Sequence, residues 1–106
     1  MKFQVVKRKE EFFKVVETQR SELLRLGVES IGLFGSSVRG EERAESDLDV
    51  LVKFAPGRKS LDSFLEVVDL LESSFDCKVD VMTPESLSRH FGPQIMKEAE
   101  FVAIAS

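Results

Sequence analysis

The stretch Ile31-Gly32-Leu33-Phe34-Gly35-Ser36-Ser37-Val38-Arg39-Gly40, followed five residues later by Ser46-Asp47-Leu48-Asp49-Val50-Leu51-Val52, decides how this chain folds. Its two apolar runs read as short strands, from Val28 to Phe34 and from Asp47 to Phe54. Alternation along the second puts Asp47 and Asp49 on one face, with Leu48, Val50 and Val52 on the other, the natural core side. Carboxylates about 6–7 Å apart repel one another unless a cation lies between them. Mg²⁺, an oxygen-seeking ion commonly held by one or two carboxylates plus substrate phosphates, suits that spacing. An Asp-x-Asp triplet alone also describes a solvated strand face. Gly35 lets the backbone approach a phosphate closely, and the Ser36 hydroxyl can donate to it. A helix beginning at Ser37 would add free N–H groups as an anion site. The same residues also make an ordinary capped strand-to-helix turn.

Working outward, Phe12, Phe13, Val16, Leu23 and Leu24 recur at helical spacing, which predicts a helix from Lys9 to Leu26 stopped by Gly27. Ala55-Pro56-Gly57 breaks the second strand. Leu61, Phe64, Leu65, Val68, Leu71 and Phe75 form one apolar stripe, which predicts a helix over 61–75 whose stripe is core rather than an interaction groove. Lys78 to Met82 reads as a third strand. Thr83-Pro84 reads as an N-cap and first turn of a helix through His90. Gly92-Pro93 interrupts, Gln94 to Glu100 suits a last helical turn or two, and Phe101 to Ala105 suits an edge strand. The expected fold class is α/β (α+β), in the order α-β-α-β-α-β-α, with helices on one side of a small sheet. No linker or repeat divides the chain, so residues 1–106 read as one domain.

Composition narrows the function. Of 106 residues, 42% are hydrophobic and 32% charged, the balance of a packed core under a solvated surface. A net charge of −4, with Phe the only aromatic, argues against a large DNA or RNA footprint, which favours basic surfaces and several exposed stacking rings. Cys77 is the single cysteine, so neither an intrachain disulfide nor a cysteine metal cluster can form. No segment reads as a signal peptide or membrane span, and a reducing cytoplasm is the expected compartment.

A third carboxylate, Asp80, stands between Val79 and Val81. Alternation turns it away from those apolar neighbours, so it shares the face of Asp47 and Asp49 if the strands pair. Alone it reads as a surface residue. Together with the other two and the Gly-Ser turn it describes a metal-assisted transfer site in which Asp80 orients or deprotonates an attacking hydroxyl.

Gly35-Ser36, ten intervening residues and Asp47-Leu48-Asp49 match the Gly-Ser-x10-Asp-x-Asp signature of the DNA polymerase β-like nucleotidyltransferase superfamily. The longer GSSVRGEERAESDLDVLV and the later VDVMTPESL resemble its minimal nucleotidyltransferase branch, over about Ile31 to Leu87. The resemblance implies a palm fold on a mixed sheet, two Mg²⁺ ions, ATP as donor and in-line attack on the α-phosphate with loss of pyrophosphate. Carried over, Gly35 and Ser36 hold the triphosphate, Arg39 helps with phosphates or orders the loop, and Asp47, Asp49 and Asp80 bind the metals. Prokaryotic members of this branch are paired with a helical HEPN-domain ribonuclease toxin. There the nucleotidyltransferase is the antitoxin, adding AMP to a tyrosine of the toxin. The chain is short beside larger relatives that carry an acceptor-binding domain, so a protein partner is expected to supply the acceptor, in a homo- or hetero-oligomer. The competing reading is a binding module that neutralises its partner by occlusion. A third is a nucleotidyltransferase acting on RNA or a small molecule.

The remaining candidates have plainer readings. His90, the only histidine, suits a helix C-terminus or the surface. Lys53 and Lys78 read as solvated edge lysines or phosphate contacts, and Arg58-Lys59 as a surface loop or a nucleotide contact.

Overall fold

A computed structural model describes residues 8–35, 48–75 and 78–105. In chain order the elements are α1 (Arg8–Thr18), α2 (Arg20–Arg25), β1 (Val28–Leu33), β2 (Leu48–Phe54), α3 (Leu61–Phe75), β3 (Val79–Met82), a 3₁₀ turn (Pro84–Ser86), α4 (Gly92–Glu98) and β4 (Glu100–Ala103). The strands form one mixed sheet in the order β3-β2-β1-β4. β1 is antiparallel to both β2 and β4, and β2 is parallel to β3. A parallel pair needs a crossover connection, which α3 supplies.

One face of the sheet carries the core. Leu33, Leu48, Val50, Val52 and Val79 cluster there with Phe12 and Val16 of α1, Leu23 of α2, and Val67 and Leu71 of α3. Phe12 stacks on Phe75 with ring centroids 5.9 Å apart, which ties α1 to the end of α3. The predicted mixed sheet flanked by helices is therefore present.

Several boundaries differ from the sequence reading. The single helix over Lys9–Leu26 is broken at Gln19 (φ −99°, ψ 12°). Thr18 Oγ1 donates to Lys14 O at 3.0 Å, and such back-bonding bends helices. Gly27 does stop α2, at φ +90°. The helix predicted from Pro84 through His90 is only a 3₁₀ turn. The Thr83 N–H donates to Ser86 Oγ and the Ser86 N–H to Thr83 O, but Leu87 turns extended (ψ 145°). Ser88 Oγ then accepts the His90 and Phe91 N–H groups, competing with helical pairing. His90 is consequently an exposed turn residue, not a helix C-terminus. The edge strand expected over Phe101 to Ala105 is present as β4, shifted to Glu100–Ala103, which pairs with Leu33–Ser30. The α3 stripe is only partly core. Of its six residues only Leu71 is buried, Leu61 is 72% and Leu65 51% exposed, and the helix also buries Val67, which the stripe did not include.

Candidate active site

The site begins where β1 ends. The Phe34 N–H still donates to Asp49 O at 3.1 Å, so the chain runs beside β2 as it enters the turn. Gly35 follows at φ +66°, a conformation that favours glycine. A Cβ built on Gly35 would lie 2.7 Å from Asp49 Oδ2. The missing side chain is thus a cradle into which the Asp49 carboxylate fits.

On the other side of β2, the parallel register sets Asp49 opposite Asp80. The flanking pairs, Leu48 with Val79 and Val50 with Val81, turn the opposite way, toward the helices. Both carboxylates therefore project from the open face of neighbouring strands, whose backbones lie about 4.8 Å apart. Asp49 is half-buried and Asp80 exposed. Asp47, Ser36 and Arg39 lie outside the described residues, so the full set of three carboxylates and the phosphate turn is seen only through Gly35, Asp49 and Asp80.

Those three fit the metal that the sequence implies. The donors are oxygens, which suits Mg²⁺ over softer ions. The cradle at Gly35 gives the Asp49 carboxylate room against the turn that would carry phosphate. Among the described residues no group of three His, Cys, Asp or Glu side chains is gathered closely enough to hold an ion alone.

The sequence reading overlooked the floor of this face. Leu51, two residues after Asp49 and on the same face, is fully buried yet outside the helix-side core cluster. It stands between Gly32 and Met82 in the ladder. At Gly32 an added Cβ would meet Glu100 O at 2.7 Å and the Phe101 ring at 3.0 Å, so Phe101 covers that glycine. The carboxylates thus stand at the margin of a dry patch, which weakens water screening on one side of them. The available signal was the apolar Leu51 interrupting a polar alternation.

The basic candidates fall elsewhere. Arg58 Nη2 donates to Arg25 O at 2.8 Å, tying the loop to the end of α2. Lys59 Nζ is 3.4 Å from both Thr83 Oγ1 and Glu85 Oε2, and Lys53 Nζ is 3.6 Å from Glu29. A cavity of about 630 Å³ lies at the C-terminal end of β3, lined by Lys59, Leu61, Phe64, Val81 and Met82 among others. Neither Asp49 nor Asp80 is among its described lining residues. No helix among the described residues is long and apolar enough to cross a membrane.

Comparison with known proteins agrees with this fold. Residues 14–104 match the family model described as a nucleotidyltransferase domain. The chain is 36% identical to a protein adenylyltransferase, MntA, of Thermococcus cleftensis, over 88% of this chain and 94% of that protein. Its fold is similar to a solved minimal nucleotidyltransferase, with a TM-score of 0.67 and 32% identity, covering 82% of this chain and 92% of that one. It is also similar to a solved mutant toxin–antitoxin complex of MntA, with a TM-score of 0.59 and 27% identity, over 81% of this chain and 70% of that one. With a nucleotidyltransferase model matched over most of its length and the Asp49–Asp80 pair set beside the Gly35 turn, the chain belongs to the nucleotidyltransferase domain family, in its minimal, adenylyltransferase-like branch.

Proposed function

We propose that the chain transfers AMP from ATP to a tyrosine hydroxyl of a HEPN-type toxin and so acts as its antitoxin. The observation that carries the reading is the register of Asp49 with Asp80 beside the Gly35 cradle. A relative named protein adenylyltransferase and a similar solved toxin–antitoxin complex support the reaction and the kind of partner.

In this reading Gly35 and Ser36 bind the triphosphate, Arg39 assists there, and Asp47, Asp49 and Asp80 hold two Mg²⁺ ions. The ions, when bound, neutralise the carboxylates and the phosphate charge that develops during transfer. Asp80, on the outer strand, takes the proton of the attacking hydroxyl. The acceptor oxygen bonds to the α-phosphorus as the bond from that phosphorus to the bridging oxygen breaks. Pyrophosphate leaves with the electron pair, and the proton rests on an Asp80 oxygen. The Leu51 and Phe101 patch keeps water from one flank of the carboxylates, which strengthens their electrostatic action.

Incubating the protein with labelled ATP, Mg²⁺ and a HEPN-domain protein encoded beside its gene should label that protein. Asp47→Ala/Asp49→Ala should abolish the label, and a fully active double variant would refute the metal assignment. If the double variant still protects cells from the toxin, neutralisation is by occlusion instead.

A further inference from the structure

We propose that the cavity at the end of β3 docks the acceptor protein, taking apolar side chains of one of its amphipathic helices while an acidic residue of that helix meets Lys59. The inference rests on the AMP-transfer reading above and concerns how the acceptor is held, not how it reacts. That reading needs a second molecule. The chain contains no tyrosine, so a phenolic acceptor must be carried in and kept beside Asp80. The cavity lies on the same strand, with apolar walls from Leu61, Phe64, Val81 and Met82. Met82 pairs with Leu51 as Asp80 pairs with Asp49, so Met82 stands on the carboxylate face, about 7 Å along β3 from Asp80. A protein seated in the cavity therefore has its neighbouring residues within reach of the carboxylates.

Size, exposure and charge select the occupant. The volume of about 630 Å³ lies within the range of about 300–1,000 Å³ that takes a drug-sized molecule, so more than one side chain fits. Leu61 is 72% exposed at the cavity, and Leu65, one turn along α3, is 51% exposed. This pair carries the apolar surface beyond the cavity. A small molecule inside would leave it bare, whereas a helix laid across would cover it. Addition of a strand to β3 is disfavoured, because the Val79 N–H already donates to Glu72 Oε2 at 3.4 Å. Two-fold pairing with a second copy is disfavoured too, since it would bring the exposed Asp62, Glu66 and Asp69 of α3 toward the same carboxylates of the copy. Lys59 is the one charged side chain among the described lining residues, in a protein of net charge −4. Its 3.4 Å contact with Glu85 joins exposed groups and contributes little, so a partner carboxylate can replace it.

The test measures binding and transfer separately, with the full chain and the HEPN-domain protein encoded beside its gene. Without ATP, Leu61→Glu and Lys59→Glu should each raise the Kd for that protein about 10- to 100-fold by titration calorimetry, the scale of one lost interface anchor. Leu24→Glu, on α2 and 48% exposed, is the control and should leave the Kd unchanged. With ATP and Mg²⁺, the two cavity variants should raise KM for the acceptor protein by the same factor, with kcat and the KM for ATP unchanged. A misfolded variant would not show that split. A photo-crosslinking side chain replacing Leu61 should join to an amphipathic helix of the acceptor protein. A link to any other part of it or to a second copy of this chain overturns the proposal, as does a Kd within twofold of wild type in both cavity variants. If the cavity variants weaken binding but wild type transfers no AMP, docking stands and the AMP-transfer reading has failed. If wild type transfers AMP and the variants bind as it does, only docking has failed. Absence of binding by wild type overturns both.

Discussion

Gly35→Ala separates two costs that the site combines. The first is conformational: at φ +66° an alanine pays roughly 1–2 kcal/mol for the left-handed backbone. The second is a collision, because the new methyl lies 2.7 Å from Asp49 Oδ2 where about 3.2 Å is needed. Relief requires the Asp49 carboxylate or the turn to move by about 0.5 Å, the limit within which catalytic groups must be held. Misplacement of about 1 Å costs on the order of 10²-fold in rate, so a loss of 10- to 100-fold is expected. Gly57→Ala is the control. Gly57 also has positive φ (+78°), but an added Cβ meets nothing within 4 Å, so only the backbone cost applies. Both variants should lose about 4–8 °C in Tm per kcal/mol by calorimetry. Only Gly35→Ala should also lose AMP transfer, measured with labelled ATP. Equal activity in the two variants would refute the coupling between the turn and the Asp49 carboxylate.

Other outcomes follow from the same structure. Leu71→Ala, in the buried core, should cost about 2–5 kcal/mol by denaturant unfolding, whereas Leu61→Ala on the same helix should stay within about 0.5 kcal/mol. Asp80→Asn should reduce AMP transfer at least 100-fold with little change in Tm, because the exposed side chain is asked for proton transfer rather than packing. Hydrogen bonding from Arg20 and Arg25 holds Glu17 and Glu22 below their ordinary value of 4.5. A carboxylate depressed in the folded state stabilises above that value and loses its contribution as pH falls through its folded pKa. Replacing both with Gln should therefore flatten the decline of Tm on acidification below pH 4.5, with little effect in high salt. Arg20→Ala should speed amide exchange in β4, since Arg20 Nη1 donates to the carbonyls of Ala103 and Ile104.

The strands and the acidic end of their polar face were legible because period-two alternation holds through Leu48-Asp49-Val50 and Val79-Asp80-Val81, although Leu51 and Met82 break it farther on. The interiors of the first and third helices were legible too, but not helix limits, and the helix read over Thr83–His90 is only a 3₁₀ turn. Nothing in the Lys9–Leu26 periodicity reveals that Thr18 bonds back to Lys14 and opens the helix at Gln19. The apolar stripe read for α3 included Leu71 but passed over Val67, which is buried, and took in Leu61 and Leu65, which are exposed. Burial depends on what faces a side chain, and hydropathy of one segment does not carry that information. The same limit hid Leu51, which is buried although it lies on the face of the carboxylates.

The pairing of Asp49 with Asp80 depends on hydrophobic residues that never touch substrate. The Asp-x-Asp triplet and the Val-Asp-Val triplet lie more than 25 residues apart, and α3 lies between them. A parallel ladder has no tight turn to fix its register. Here the register is fixed by burial: Leu48 opposite Val79 and Val50 opposite Val81 both face the helices. A slip of one residue would turn Val79 and Val81 to the open face and put Asp80 under α3 as an unpaired buried charge. The core penalty for that slip is several kcal/mol, far above the cost of crowding two carboxylates at the surface before a metal arrives. The apolar side of the sheet therefore holds the acidic side in its working arrangement, and a site that repels itself when empty can persist in the folded chain.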